Sequence, residues 1–268
     1  MPLLTLQNPD YLSYELFDGD GSRPYLVFLH EGLGCTEMWK DFPLLLCKET
    51  GCPGLVYDRI GYGKSSPLTE PMTIHFMHRH AFFQLPEIIR RLIPDKDFIL
   101  IGHSDGGSIS LIFASERPSR LVGMITEGAH VFVEQKTLSG IRAAVDTFQS
   151  GGLRGLFKYH GEKTEEIFAA WSDMWLSHAF GFWNIEYALP SIETPCLVLQ
   201  GTQDRYGTAA QVESIAANTP HAKRCMIEHC GHAPHLENSG QTLQVMKKFI
   251  EALVVAAGAP KRPRQRNA

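Results

Sequence analysis

Short apolar runs that end on a polar residue recur along this chain, and they constrain its fold more than any other feature. "YLVFLH" (25–30), "GLVYD" (54–58), "DFILIGH" (97–103), "LVGMITEG" (121–128) and "CLVLQG" (196–201) are continuous rather than alternating, with "RCMIEHC" (224–230) as a weaker sixth. Continuous apolar runs of this length read as strands buried on both faces, the signature of a parallel sheet. Helical periodicity fills the gaps over 36–50, 75–92 (with Pro86 as a kink or break), 105–116, 208–217 and 239–256. Residues 3–6 and 11–17 add two short strands ahead of the first run. Strands alternating with helices predict an α/β fold, a mostly parallel doubly wound sheet with helices on both faces. In such sheets chemistry collects at the C-terminal ends of the strands.

Residues 134–194 interrupt the alternation. They show helical patterns at 137–149, 163–177 and 182–189 and no clear strand. A structureless loop of that length is uncommon in a compact domain, so the segment reads as a helical insertion. Its aromatics are dense: Phe168, Trp171, Trp175, Phe180, Phe182 and Trp183.

Bulk properties narrow the function classes. The 268 residues are 44% hydrophobic and 20% charged, enough for a packed core. The formal charge is −4, yet Lys261, Arg262, Arg264 and Arg266 sit in a tail without acids; without them the remainder carries −8. That body offers no surface for nucleic acid, and 258–268 reads as a basic disordered tail. No run is long enough to span a membrane and no secretory leader is recognisable, so a cytoplasmic protein is expected. The six cysteines form no Cys-x-x-Cys pair and read as buried free thiols. No metal motif or phosphate-binding loop is present, and no cofactor or metal is expected.

Gly102-His103-Ser104-Asp105-Gly106 fits Gly-x-Ser-x-Gly, placed between a strong strand and a helix. A tight turn there forces the serine toward positive φ and crowds its neighbours, so the flanking positions need glycine. Ser104 is the candidate nucleophile. It needs a base, and "CGHAPHLE" (230–237) supplies His232, with His235 as competitor. The base needs a carboxylate: Asp204 in "LQGTQDRYG", with Glu127 as the alternative. A developing oxyanion needs backbone donors, expected from Asp105 and from Gly32 or Leu33 in "HEGLGC". Glu31 is out of place in that loop, since a free carboxylate repels an oxyanion; it is expected to point away or to pair with a cation or with His30. The candidate pocket residues are Glu31, His103, Trp171, Trp175, Trp183 and Tyr206, with His103 a shoulder of the turn rather than the base.

Together "HEGLG", "YDRIGYGKSS" (57–66), "GHSDGG", "QGTQD" and "CGHAP" resemble the α/β-hydrolase superfamily from about residue 3 to 256. The resemblance implies an eight-stranded sheet whose first hairpin supplies the antiparallel strand. It implies a helical cap between strands 6 and 7, so that 1–133 and 195–257 form the core and 134–194 the cap. It also implies Ser104, Asp204 and His232 as a triad, and Asp58, Arg59, Gly61 and Gly63 as loop-bracing positions. The expected function is a serine hydrolase of a small, partly apolar ester, thioester or lactone, acting as monomer or homodimer on a small-molecule substrate. Alternatives are a carbon–carbon hydrolase of ring-cleavage dienoates, for which Arg142, Lys158 or Lys163 would meet the acidic substrate, then a cofactor-free dioxygenase or perhydrolase, and a non-catalytic ligand receptor.

Overall fold

In the computed structural model, residues 1–6 and 10–258 are described; the basic tail lies outside them. Eight strands form one sheet in the order β1-β2-β4-β3-β5-β6-β7-β8. They are β1 (Leu3–Thr5), β2 (Tyr11–Phe17), β3 (Tyr25–Leu29), β4 (Gly54–Tyr57), β5 (Phe98–His103), β6 (Leu121–Glu127), β7 (Cys196–Gly201) and β8 (Ala222–Ile227). β1 and β2 form an antiparallel hairpin, β2 pairs antiparallel with β4, and every later pairing is parallel.

The continuous apolar runs are explained by what lies on either face. Alternate residues of each strand point to opposite sides. Leu26, Phe28, Val56, Ile99, Ile101, Ile125 and Leu199 pack on one side with Trp39, Phe42 and Leu46 around α1 (Phe42–Thr50). Met246 and Ile250 of the last helix complete that layer. Val27, Leu29, Leu55, Leu100, Met124 and Val198 pack on the other, against α2 (Phe76–Arg79), α3 (Leu85–Leu92) and α4 (Asp105–Ser115). Each such fully buried side chain contributes about 1.5–3 kcal/mol of transfer free energy.

Between β6 and β7 lie α5 (Gln135–Gln149), α6 (Leu156–His160) and α7 (Thr164–Leu176), followed by 3₁₀ turns at Phe180–Phe182 and Glu186–Ser191. The helix expected over 182–189 is therefore two short turns, the second containing Pro190, which has no N–H to donate to a regular helix. α8 (Ala209–Asn218) joins β7 to β8, and α9 (Pro234–Glu237) and α10 (Ser239–Gly258) end the described chain.

Other departures are local. The helix expected over 36–50 breaks at Lys40, whose φ is 54°. Pro86 does not end its helix; a π turn at His80–Gln84 comes just before it and α3 carries it in its first turn, where its missing N–H matters least. β8 lies two to three residues earlier than expected, as an edge strand with Lys223 and Arg224 exposed. All six cysteines are unpaired.

Candidate active site

The residues singled out at strand ends converge above the C-terminal edge of the sheet. Ser104 joins β5 to α4 with φ 51° and ψ −115°, a conformation a residue with a Cβ rarely adopts. Its N–H donates to the Glu127 carbonyl at the end of β6, 2.8 Å. The flanking glycines are required by contact. A Cβ at Gly102 would stand 2.3 Å from the Gly106 carbonyl oxygen, and one at Gly106 would stand 2.1 Å from that of Leu29. The turn therefore holds the serine at the mouth of a helix N-terminus, where developing negative charge is favoured.

Beyond β8, His232 sits in the loop before α9. Its Nδ1 lies 2.9 Å from both Asp204 carboxylate oxygens. Asp204 Oδ1 also accepts from the Tyr206 and Gly207 N–H groups. Burial alone would raise the Asp204 carboxyl; the hydrogen bond and charge of His232 hold it below the usual carboxylate value. A carboxylate only accepts, so Nδ1 carries the proton and Nε2 is left as the free base. The competing pair is separate: His235 Nδ1 lies 2.6 Å from Glu127 Oε2, both buried, beside Trp39 and Phe42.

Ser104 and His232 line one cavity of about 100 Å³, together with Glu31, Gly32, Leu33, Asp105, His130, Thr137, Ile141, Trp171, Trp175 and Tyr206. A larger cavity of about 230 Å³, bordered by residues 68–87, shares none of these. The chemistry-bearing groups gather in the smaller one, so we take that as the site. Gly32 lies under Trp171, whose Nε1 would be 2.3 Å from a Cβ there. His103 and Trp183, expected in the pocket, are not in its wall. His103 is buried beneath the turn, and Trp183 packs behind Trp175 against Phe180. His130, Thr137 and Ile141 are in the wall and were not expected there. Thr137 and Ile141 are one turn apart on α5, and His130 lies just past β6, where a strand-end rule points but one histidine among twelve does not stand out.

Glu31 has a partner other than His30. Its Oε2 lies 3.5 Å from His103 Nδ1, while its carbonyl oxygen accepts from His30 Nδ1 (2.8 Å) and Arg59 Nη2 (2.6 Å). His103 Nε2 in turn donates to the His232 carbonyl, 2.8 Å. One imidazolium thus ties the loop after β3 to the loop that carries His232. Burial alone would lower the His103 pKa, but the Glu31 carboxylate, with Glu127 beyond it, pushes it up to about 9. Burial likewise opposes ionisation of Glu31, and His103 and His30 overcome it, holding Glu31 well below the usual carboxylate range.

The pH dependence has a definite sign. A histidine whose folded pKa exceeds its unfolded value of about 6.5 stabilises fully below that value, and the stabilisation is lost as pH rises through the folded pKa. Between pH 7 and 9.5 this one group is expected to cost the wild type up to about 3 kcal/mol relative to its contribution at pH 6. His103→Gln removes this contribution, so the stability advantage of the wild type over the variant by urea unfolding should shrink by that amount across the window; parallel curves for the two proteins count against the assignment.

Asp58 and Arg59 brace the adjoining loops. Asp58 accepts from the Thr36 N–H (2.6 Å) and the Lys64 N–H (2.8 Å). Arg59 lies 3.9 Å from Asp105 Oδ2 and stacks over Tyr62. Gly61 and Gly63 both have positive φ. Lys163 donates to the carbonyls of Tyr62 and Ser65, and Arg142 and Lys158 are exposed; none of the three lines the cavity.

Comparison with known proteins agrees with this architecture. Residues 26–245 match the sequence profile of the alpha/beta hydrolase family. A proline iminopeptidase of Saccharolobus solfataricus is 23% identical, covering 89% of this chain and 88% of its own. A monoglyceride lipase of Rattus norvegicus is 22% identical, covering 97% and 93%. Among solved structures, the enol-lactonase from Burkholderia xenovorans LB400 superposes with a TM-score of 0.75 at 18% identity, covering 93% of this chain and 100% of that one.

Proposed function

The chain belongs to the alpha/beta hydrolase family, and from that premise we propose that it is a serine hydrolase of small, partly apolar esters, thioesters or lactones. One observation carries the reading: a serine at positive φ and a histidine whose Nδ1 is held by a carboxylate share the wall of one cavity. In this reading Ser104 Oγ attacks the acyl carbon while His232 Nε2 takes its proton. Asp204 holds the reactive tautomer and steadies the imidazolium. The oxyanion is received by the Asp105 N–H and by that of Gly32 or Leu33. The intermediate collapses, His232 returns the proton to the departing alcohol or thiol, and an acyl-Ser104 remains. Water, deprotonated by the same His232, releases the acid.

Substrate size follows from the cavity. About 100 Å³ is well below the roughly 300–1,000 Å³ of a site for drug-sized ligands, so a short acyl chain fits best. Residues 134–194 act as a cap in this reading, closing the acyl group under Thr137, Ile141, Trp171 and Trp175. Relatives named as peptidase, lipase and enol-lactonase all transfer an acyl group to water, which supports the reaction class. A dienoate substrate would want a cation in the wall, and Arg142, Lys158 and Lys163 do not supply one.

Treatment with an alkyl fluorophosphonate followed by peptide mapping tests the proposal. One adduct on the peptide carrying Ser104 is expected. Intact, folded protein that takes no label, or takes it elsewhere, overturns the reading.

A further inference from the structure

Two buried hydrogen-bond acceptors in the wall of the Ser104 cavity have no donor at full hydrogen-bond distance, and beside them the wall holds one unpaired donor, the Trp175 indole N–H. Asp105 is 1% exposed, and its Oδ2 has no hydrogen-bond partner. His130 is 2% exposed, and its Nε2 lies 3.2 Å from the Tyr206 carbonyl oxygen. A carbonyl only accepts, so Nε2 carries the proton and Nδ1 is a bare lone pair; it too has no partner. Burial, with the charge of His232, pushes His130 down to about 4, so this ring is neutral near neutral pH. A buried acceptor without a donor is costly; the Trp175 N–H lies near enough to Asp105 to lower its carboxyl, yet one donor does not serve two acceptors, and the shortfall calls for a ligand that brings donors.

Apart from the base His232, the charged side chains in the wall have one sign. Glu31 and Asp105 line the cavity, and no lysine or arginine among the described residues does. The compensating cations stand behind the wall: His103 beside Glu31 and Arg59 beside Asp105. The remaining surface is largely aromatic, from Trp171, Trp175 and Tyr206. Carboxylate oxygens among aromatic faces suit an ammonium group better than a neutral or anionic one. Asp105 also follows Ser104 directly, so a group bound to its carboxylate lies within a few atoms of the reacting carbonyl.

Building on the reading of Ser104 as nucleophile, we propose that the substrate carries a positively charged amino group on a short acyl chain, hydrogen-bonded to Asp105 and His130 among the rings of Trp171, Trp175 and Tyr206. Burial raises the Asp105 carboxyl to about 6, against the pull of Arg59, His103 and the Trp175 N–H and with the push of Glu31. Selectivity for the amine therefore fades as pH falls through that value, where the acceptor becomes a neutral acid.

The test compares kcat/KM for p-nitrophenyl 3-aminopropanoate, protonated at neutral pH, with the butanoate ester, in which a methyl replaces the ammonium, and with the 3-hydroxypropanoate ester. The wild type is expected to prefer the amino ester to the butanoate by about tenfold or more at pH 7.5, as one charge-assisted hydrogen bond provides. Asp105→Asn should bring that ratio to within about threefold of unity, because an ion–dipole contact replaces an ion pair, and His130→Phe should lower it as well. The ratio is internal to each protein, so a poorly folded variant lowers both rates without disturbing it. Butanoate turned over as well as the amino ester, a hydroxy ester matching it, or a ratio unchanged in both variants overturns the proposal. Ser104→Ala run alongside separates the two readings. If it is inactive while the wild type prefers butanoate, only the amine assignment falls; if it matches the wild type, the serine hydrolase reading falls first.

Discussion

Ser104→Ala is expected to lower kcat for a short p-nitrophenyl ester by at least about 10⁴-fold while KM stays within about threefold. The size of the effect follows from how the hydroxyl is presented. Ser104 occupies a backbone conformation, φ 51°, that costs about 1–3 kcal/mol for a residue with a Cβ. The neighbouring backbone enforces it through the two glycines that no other residue can replace without collision. Removing the oxygen leaves the cavity, the histidine–carboxylate pair and the backbone donors in place, so binding persists and the covalent step is lost. The same geometry makes a second part of the expectation unusual. Ser104→Gly should be as inactive as the alanine variant yet more thermostable than the wild type, because glycine reaches φ 51° without strain. Alanine keeps the strain and should melt near the wild-type temperature. A Ser104→Ala enzyme that retains more than about one-tenth of kcat cannot be using this hydroxyl as nucleophile.

Most of this arrangement was legible as strand ends. Buried parallel strands have to be continuous apolar runs, so their ends were marked by the first polar residue: His30, Asp58, His103 and Glu127 each stand at or just past such an end. The edge strand was harder. β8 has solvent over Lys223 and Arg224, so its polar residues carry no signal of burial, and its expected position slipped toward the apolar Met226-Ile227 pair. Side-chain direction was not legible at all. Trp175 and Trp183 are both buried, and packing decides that one faces the cavity while the other stands behind it. Glu31 shows the same limit from another side. Its carboxylate was recognisable as incompatible with a nearby oxyanion, but its partner, His103, lies 72 positions later on the adjoining strand. Only the register of β3 against β5 brings them together.

The choice between the two acids is where sequence and structure meet in a single measurement. Asp204 and Glu127 both stand at strand ends, and His232 and His235 are three residues apart, so spacing alone allows either acid to serve either ring. The structure gives each ring its own carboxylate: His232 with Asp204, in the wall of the cavity, and His235 with Glu127, buried against Trp39. Asp204→Asn is therefore expected to lower kcat by about 10⁴-fold. An amide in that position can present N–H to Nδ1, favouring the tautomer whose proton sits on Nε2, and such a ring cannot take a proton from Ser104. Glu127→Gln is expected to spare the rate. Its amide oxygen still accepts from His235, so kcat should stay within about threefold, while exchanging a buried, hydrogen-bonded carboxylate for an amide lowers stability by about 1–3 kcal/mol. Circular dichroism melts beside ester kinetics on both variants decide the matter. If Glu127→Gln loses the catalytic rate and Asp204→Asn keeps it, the acid belongs to the other pair and His235 becomes the base. Ser104 N–H donates to the Glu127 carbonyl, which keeps Glu127 next to the site without involving its carboxylate, so a purely steric disturbance would show as a loss of kcat in both variants.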